Sequence, residues 1–76
     1  MAGAVTSNVS RPPSPRELEV LELAAGGLTN AEIAARMQLT VHAVKFHLAS
    51  IYRKLGVANR TEAVAVFLRS SANKVS

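Results

Sequence analysis

The residues best placed to do chemistry lie in one stretch, LTVHAVKFHLASIYRKLG, from Leu39 to Gly56. At about 100° per residue in a helix, His42, Lys45, Phe46, Ala49 and Arg53 share one sector, while Val44, Leu48, Ile51 and Leu55 share the opposite one. The second set is a core stripe. The first mixes cations, a small residue and an aromatic, which is neither a plain solvent face nor a catalytic constellation. Such a mixture suits the major groove of DNA. There a long cationic donor meets guanine, a small side chain permits close approach, and an apolar group touches the thymine methyl.

Other chemistries find little support. No paired carboxylates, no nucleophile with an adjacent base and no phosphate-cradling loop occur at useful spacing, so an enzyme is not expected. Cysteine is absent and only two histidines are present, so neither a metal site nor any other cofactor is expected. No apolar run approaches the roughly 20 residues of a membrane span, and the opening MAGAVTSNVSRPP lacks the charged start and apolar centre of a signal peptide. An unexported protein without membrane contact is therefore the expectation.

The charge distribution points to a polyanion. The formal net charge is +4, and no acidic residue stands between Glu32 and Glu62, an interval that holds Arg36, Lys45, Arg53, Lys54 and Arg60. A basic face that is merely solvated would have the same composition.

The elements that must position these residues follow from local signals. With 76 residues, rich in alanine and leucine and poor in aromatics, the chain suits one small all-α domain. Residues 1–13 read as a flexible tail or linker. Ser14, Pro15 and Glu17 mark a helix start, and Val20, Leu21 and Ala24 form the inward stripe of a first helix that ends near Ala25 at Gly26-Gly27. Thr29 and Glu32 form a capping box for a short second helix with Ile33, Ala34 and Met37 inward. Thr40 caps the third helix, 41–55, which stops at Gly56. Asn59 and Glu62 start a fourth helix, expected to run to about Ser70 with Ala63, Val64, Phe67 and Leu68 in the core and a frayed end over 71–76. The result is a compact four-helix bundle over 14–70, whose second and third helices form a helix-turn-helix.

With the motifs in place, the chain resembles the LuxR/FixJ (NarL)-type C-terminal DNA-binding domains of bacterial transcription regulators. The resemblance runs from Ser14 to about Leu68 and rests on PRELEVL, GLTNAEIA and AVKFHLASIYRKLGVANRTEAV in that order and spacing. It implies base contacts from Lys45, Phe46 and Ala49, and phosphate contacts near Thr29, Asn30, Arg53 and Lys54. It also implies binding to double-stranded DNA as a dimer on two half-sites, with control by a separate sensory or phosphoacceptor domain, as in response regulators. Two positions depart from the pattern: Ala43 stands where threonine is frequent, and Ala49 where a polar or basic residue is frequent. Both remove possible contacts.

Each residue also has a plainer reading. Lys45 could be an ordinary exposed lysine, although its place at the middle of the sector favours DNA. Phe46 could touch thymine or sugar, or tuck against a neighbouring helix. His47, at the edge of the core sector, reads as a packed, hydrogen-bonded imidazole, and His42 as facing phosphate or solvent rather than a metal. Tyr52 could donate to phosphate or be a surface tyrosine. Arg53 and Lys54 could contact phosphate or complement the helix dipole, and the angle favours Arg53.

On the fourth helix, Val66 between Glu62 and Arg69 is the expected dimer contact, in a homodimer that is weak alone and strengthened on DNA. The expectation is thus a sequence-specific DNA-binding effector domain, with RNA polymerase a candidate further partner. Its rivals are a sigma-factor-like promoter-recognition element, which the fourth helix with GVANRTEAV argues against, and a helical protein-interaction module with a basic face.

Overall fold

A computed structural model describes the backbone of residues 12–75 and the side chains of residues 12–70. The expected tail over 1–13 lies outside the described residues except for Pro12 and Pro13. Four helices follow in order: α1, Pro15–Ala25; α2, Asn30–Met37; α3, Val41–Leu55; and α4, Arg60–Val75. There is no strand among the described residues.

The boundaries are set by the local chemistry read above. In α1 the Ser14 hydroxyl accepts from the Glu17 amide at 3.2 Å while the Glu17 carboxylate accepts from the Ser14 amide at 2.8 Å. Thr29 and Glu32 repeat this reciprocal pair at the start of α2, at 3.2 and 2.8 Å. Thr40 accepts from the Ala43 amide at 3.0 Å to begin α3. At α4 the box is displaced by one residue: Asn59 Oδ1 accepts from the Glu62 amide, and Glu62 Oε1 accepts from the Ala58 amide. Gly26 keeps a right-handed conformation, and it is Gly27, at φ +93°, that turns the chain out of α1.

In its backbone α4 is helical to Val75, past the expected end near Ser70. One expectation for this helix needs correction. Leu68 is not in the core. It is 53% exposed, since it lies about 140° around the helix from the fully buried Ala63, and the inward arc of an outer helix is narrow. Phe67 and Val64 do pack on the core from its edge.

The core is formed by Val20, Leu21 and Ala24 of α1, Ile33 and Ala34 of α2, Val44, Leu48 and Ile51 of α3, and Ala63 of α4. α3 packs on all three other helices and α1 also contacts both α2 and α4, so α3 has its apolar side fixed from several directions. The turn between α2 and α3 is held by the Leu39 amide, which donates to the Ala34 carbonyl at 2.8 Å, while Gln38 takes a left-handed φ of 59°. This turn aims α3 relative to α2.

Candidate nucleic-acid interface

Burying Val44, Leu48 and Ile51 leaves the opposite arc of α3 in solvent. His42, Lys45, Phe46, Ala49 and Arg53 are all exposed there. The fold thus brings together the five residues that the periodicity placed in one sector, and none is covered by a neighbouring helix. Phe46 does not tuck away: it is 68% exposed. Its ring meets His47 edge-on, with centroids 6.2 Å apart and planes at 67°. His47 is half-buried beside it. Ala43 is half-buried on the same flank.

The other expected contacts divide differently. Lys54 does not point outward with Arg53. Its ammonium donates to Glu17 Oε1 at 2.8 Å, and its side chain is only 25% exposed. Tyr52 is half-buried and packs against the core, so only part of its surface borders the exposed arc. At the start of α2, Thr29 is exposed but its hydroxyl caps the helix, and Asn30 Oδ1 accepts a hydrogen bond from Arg60. Arg60 also donates to the Leu28 carbonyl at 2.9 Å. Of the five cations between Glu32 and Glu62, two therefore brace the fold. Lys45 and Arg53 make no ion pair among the described residues, so their charge faces solvent on the same arc as the Phe46 ring.

The most consequential group missed in the sequence is Glu17. Its position in the first turn of α1 explains its role in the cap, yet the side chain is also buried, and it joins α1 to α3. Oε1 takes the Lys54 ammonium and the Ser14 amide, and Oε2 takes the Ser50 hydroxyl at 2.6 Å. Burial by itself pushes this carboxyl up. The hydrogen bonds from Lys54, Ser50 and Ser14, with the charge of Lys54, outweigh burial and lower the pKa from 4.5 to about 2. A signal was present: Ser50 and Lys54 lie one turn apart on the flank of the core stripe, where a polar pair needs a buried partner. The identity of that partner was not readable locally.

On α4, Glu62 and Arg69 are exposed while Val66 is half-buried. Glu62 already serves the helix start. Leu68, rather than Val66, is the large apolar residue that this helix turns to solvent. Among the described residues there is no grouping of side chains able to hold a metal ion and no helix long and apolar enough to cross a membrane.

Comparison with known proteins agrees with this geometry. The family model for bacterial regulatory proteins of the luxR family matches residues 13–67. The chain is similar to the probable transcriptional regulatory protein SgaR of Hyphomicrobium methylovorum, 46% identical over 59 residues that cover 78% of this chain and 28% of that protein. It is also similar to the quorum sensing-dependent transcriptional regulator RpaR of Rhodopseudomonas palustris, 52% identical over 52 residues that cover 68% of this chain and 21% of that one. In three dimensions it resembles the response regulator ChrA of a heme-sensing two-component system, with a TM-score of 0.73 and 40% identity over 92% of this chain and 36% of that one. The chain spans about a fifth to a third of the length of these relatives.

Proposed function

We propose, from the premise that this chain belongs to the luxR family of bacterial regulatory proteins, that its helix-turn-helix binds specific duplex DNA by laying α3 in the major groove. The family is one of transcription regulators with a DNA-binding helix-turn-helix, not of enzymes. The observation that carries the reading is the continuous exposed arc of His42, Lys45, Phe46, Ala49 and Arg53 opposite the buried stripe. Lys45 would reach guanine acceptors, with Phe46 and Ala49 against neighbouring bases. Arg53 and His42, at the two ends of the arc, would meet phosphates, with Tyr52 at its border. Thr29 and Asn30 would act through the positive end of α2 more than through side chains already engaged in the fold. Lys54 would support the reading helix from within.

The domain would act in the bacterial cytoplasm, as a dimer on two half-sites about one helical turn apart, through the outer face of α4. Leu68 is the large apolar residue at one edge of that face, with Arg69 and Glu62 about 100–120° around the helix and half-buried Val66 at the opposite edge. So small a patch supports only weak pairing in solution, which DNA with two half-sites would strengthen by holding both copies close. Control by a separate regulatory domain and contact with RNA polymerase belong to the same proposal for the whole protein.

The test is selection of bound sequences from a random duplex pool, followed by competition with unselected DNA. An enriched sequence that survives a large excess of competitor supports the reading. Binding that tracks only salt and competitor concentration would make the arc a general polyanion surface.

A further inference from the structure

Phe46 is the most exposed of the large apolar side chains among the described residues. A lone exposed aromatic is ordinary, but this one stands among cations on the arc opposite the core, and its ring is held edge-on by the half-buried His47. Ala49 lies one helical turn further along and is also exposed, so ring and methyl form adjoining apolar surface. The hydrogen-bonding groups on the same arc are Lys45, Arg53 and His42. Apart from the His42 imidazole none of them can accept a hydrogen bond, and there is no carboxylate or amide side chain among them. Apart from His42, at the end of the arc, no side chain there is suited to the cytosine amino group, and none makes the two-bond contact to adenine. What it can distinguish is an acceptor edge, through Lys45, and an apolar projection, through Phe46 and Ala49.

We infer that Phe46 and Ala49 form an apolar step that reads the 5-methyl group of a pyrimidine, so that the domain separates thymine from cytosine by the methyl and accepts 5-methylcytosine in thymine's place. This rests on the proposed placement of α3 in the major groove. Burying one methyl on such a step corresponds to about a fourfold gain in affinity, roughly the value of one buried CH2.

The experiment uses the sequence selected from the random pool, resynthesised in three ways: with each thymine replaced by deoxyuridine, with the affected T·A pair replaced by C·G, and with that pair replaced by 5-methylcytosine·G. Wild type and Phe46→Ala are titrated by fluorescence anisotropy at a salt concentration low enough for both to bind. The expected result is a loss of about fourfold on uracil substitution at one or two positions per half-site for the wild type, and none for Phe46→Ala. The 5-methylcytosine duplex should bind the wild type about threefold or more above its unmethylated counterpart, again with no difference for the variant. Indifference of the wild type to uracil, equal sensitivity of wild type and variant, or equal binding of methylated and unmethylated duplexes overturns the proposal. A pool that yields no enriched sequence instead overturns the DNA-reading function itself.

Discussion

The Glu17 carboxylate of α1 receives the Lys54 ammonium of α3 at 2.8 Å, and both groups lie largely out of solvent. This contact, 37 residues long in sequence, ties the start of the first helix to the last turn of the helix that carries the exposed arc. It also gives stability a defined pH dependence. The carboxyl is held at about 2 against 4.5 when unperturbed. Its contribution is thus complete above about pH 5 and is lost as the pH falls through the folded-state value near 2. The size is about 3 kcal/mol at most, from about 1.4 kcal/mol per pKa unit.

Glu17→Gln should accordingly lower unfolding free energy by about 2–3 kcal/mol at pH 7 and show a shallower decline between pH 5 and 2. Urea titrations followed by circular dichroism across that range measure both. Parallel stability curves for wild type and variant would mean that the carboxylate contributes nothing through its charge.

Lys54→Ala and Arg53→Ala are neighbours with opposite expected consequences. Removing Lys54 leaves a buried carboxylate without its cation and should cost about 1–3 kcal/mol of stability. Removing Arg53 should leave stability within about 0.5 kcal/mol of wild type but reduce the salt dependence of DNA binding by about one counterion. Thermal melts and affinity measured at several salt concentrations decide it, and a reversal of the two phenotypes would contradict the assignment.

Lys45→Ala should weaken binding to the selected sequence by about 1–3 kcal/mol without changing helical content, because the side chain makes no ion pair among the described residues. An equal loss on selected and random duplexes would reassign Lys45 to phosphate.

For pairing, Leu68→Glu should fold normally, since the side chain is already 53% exposed, and bind a single half-site as wild type does. It should lose cooperative occupation of two half-sites in a gel-shift titration. Val66→Glu, at a half-buried position, should instead lose stability by about 1–3 kcal/mol. Retained cooperativity in Leu68→Glu would place the contact elsewhere.

Gln38 adopts the left-handed conformation at the end of α2, at φ 59°. Gln38→Gly should therefore stabilise the domain by about 0.5–1 kcal/mol, the relief of Cβ crowding exceeding the added freedom of the unfolded chain. A lower melting temperature would show that the side chain does more in the turn than its backbone costs.

The sequence by itself determined what depends on neighbours within a few residues. Ser14, Thr29, Thr40 and Asn59 cap the four helices because each accepts from an amide three residues on. The stripe of Val44, Leu48 and Ile51 is buried because its period matches the helix, and that burial leaves the arc from His42 to Arg53 outside. The tertiary structure alone decided which cations are available and which face of α4 is open. Lys54 and Arg53 are adjacent and alike in charge, yet only the packing of α1 against α3 turns one toward Glu17. Arg60 joins Leu28 and Asn30 for the same reason, across 32 and 30 residues. Leu68 has the side chain of a core residue but sits beyond the reach of the helices beneath α4. Local sequence fixes the direction of a side chain around its own helix. What meets it there depends on where the other helices lie, which is set by the joint packing of all four.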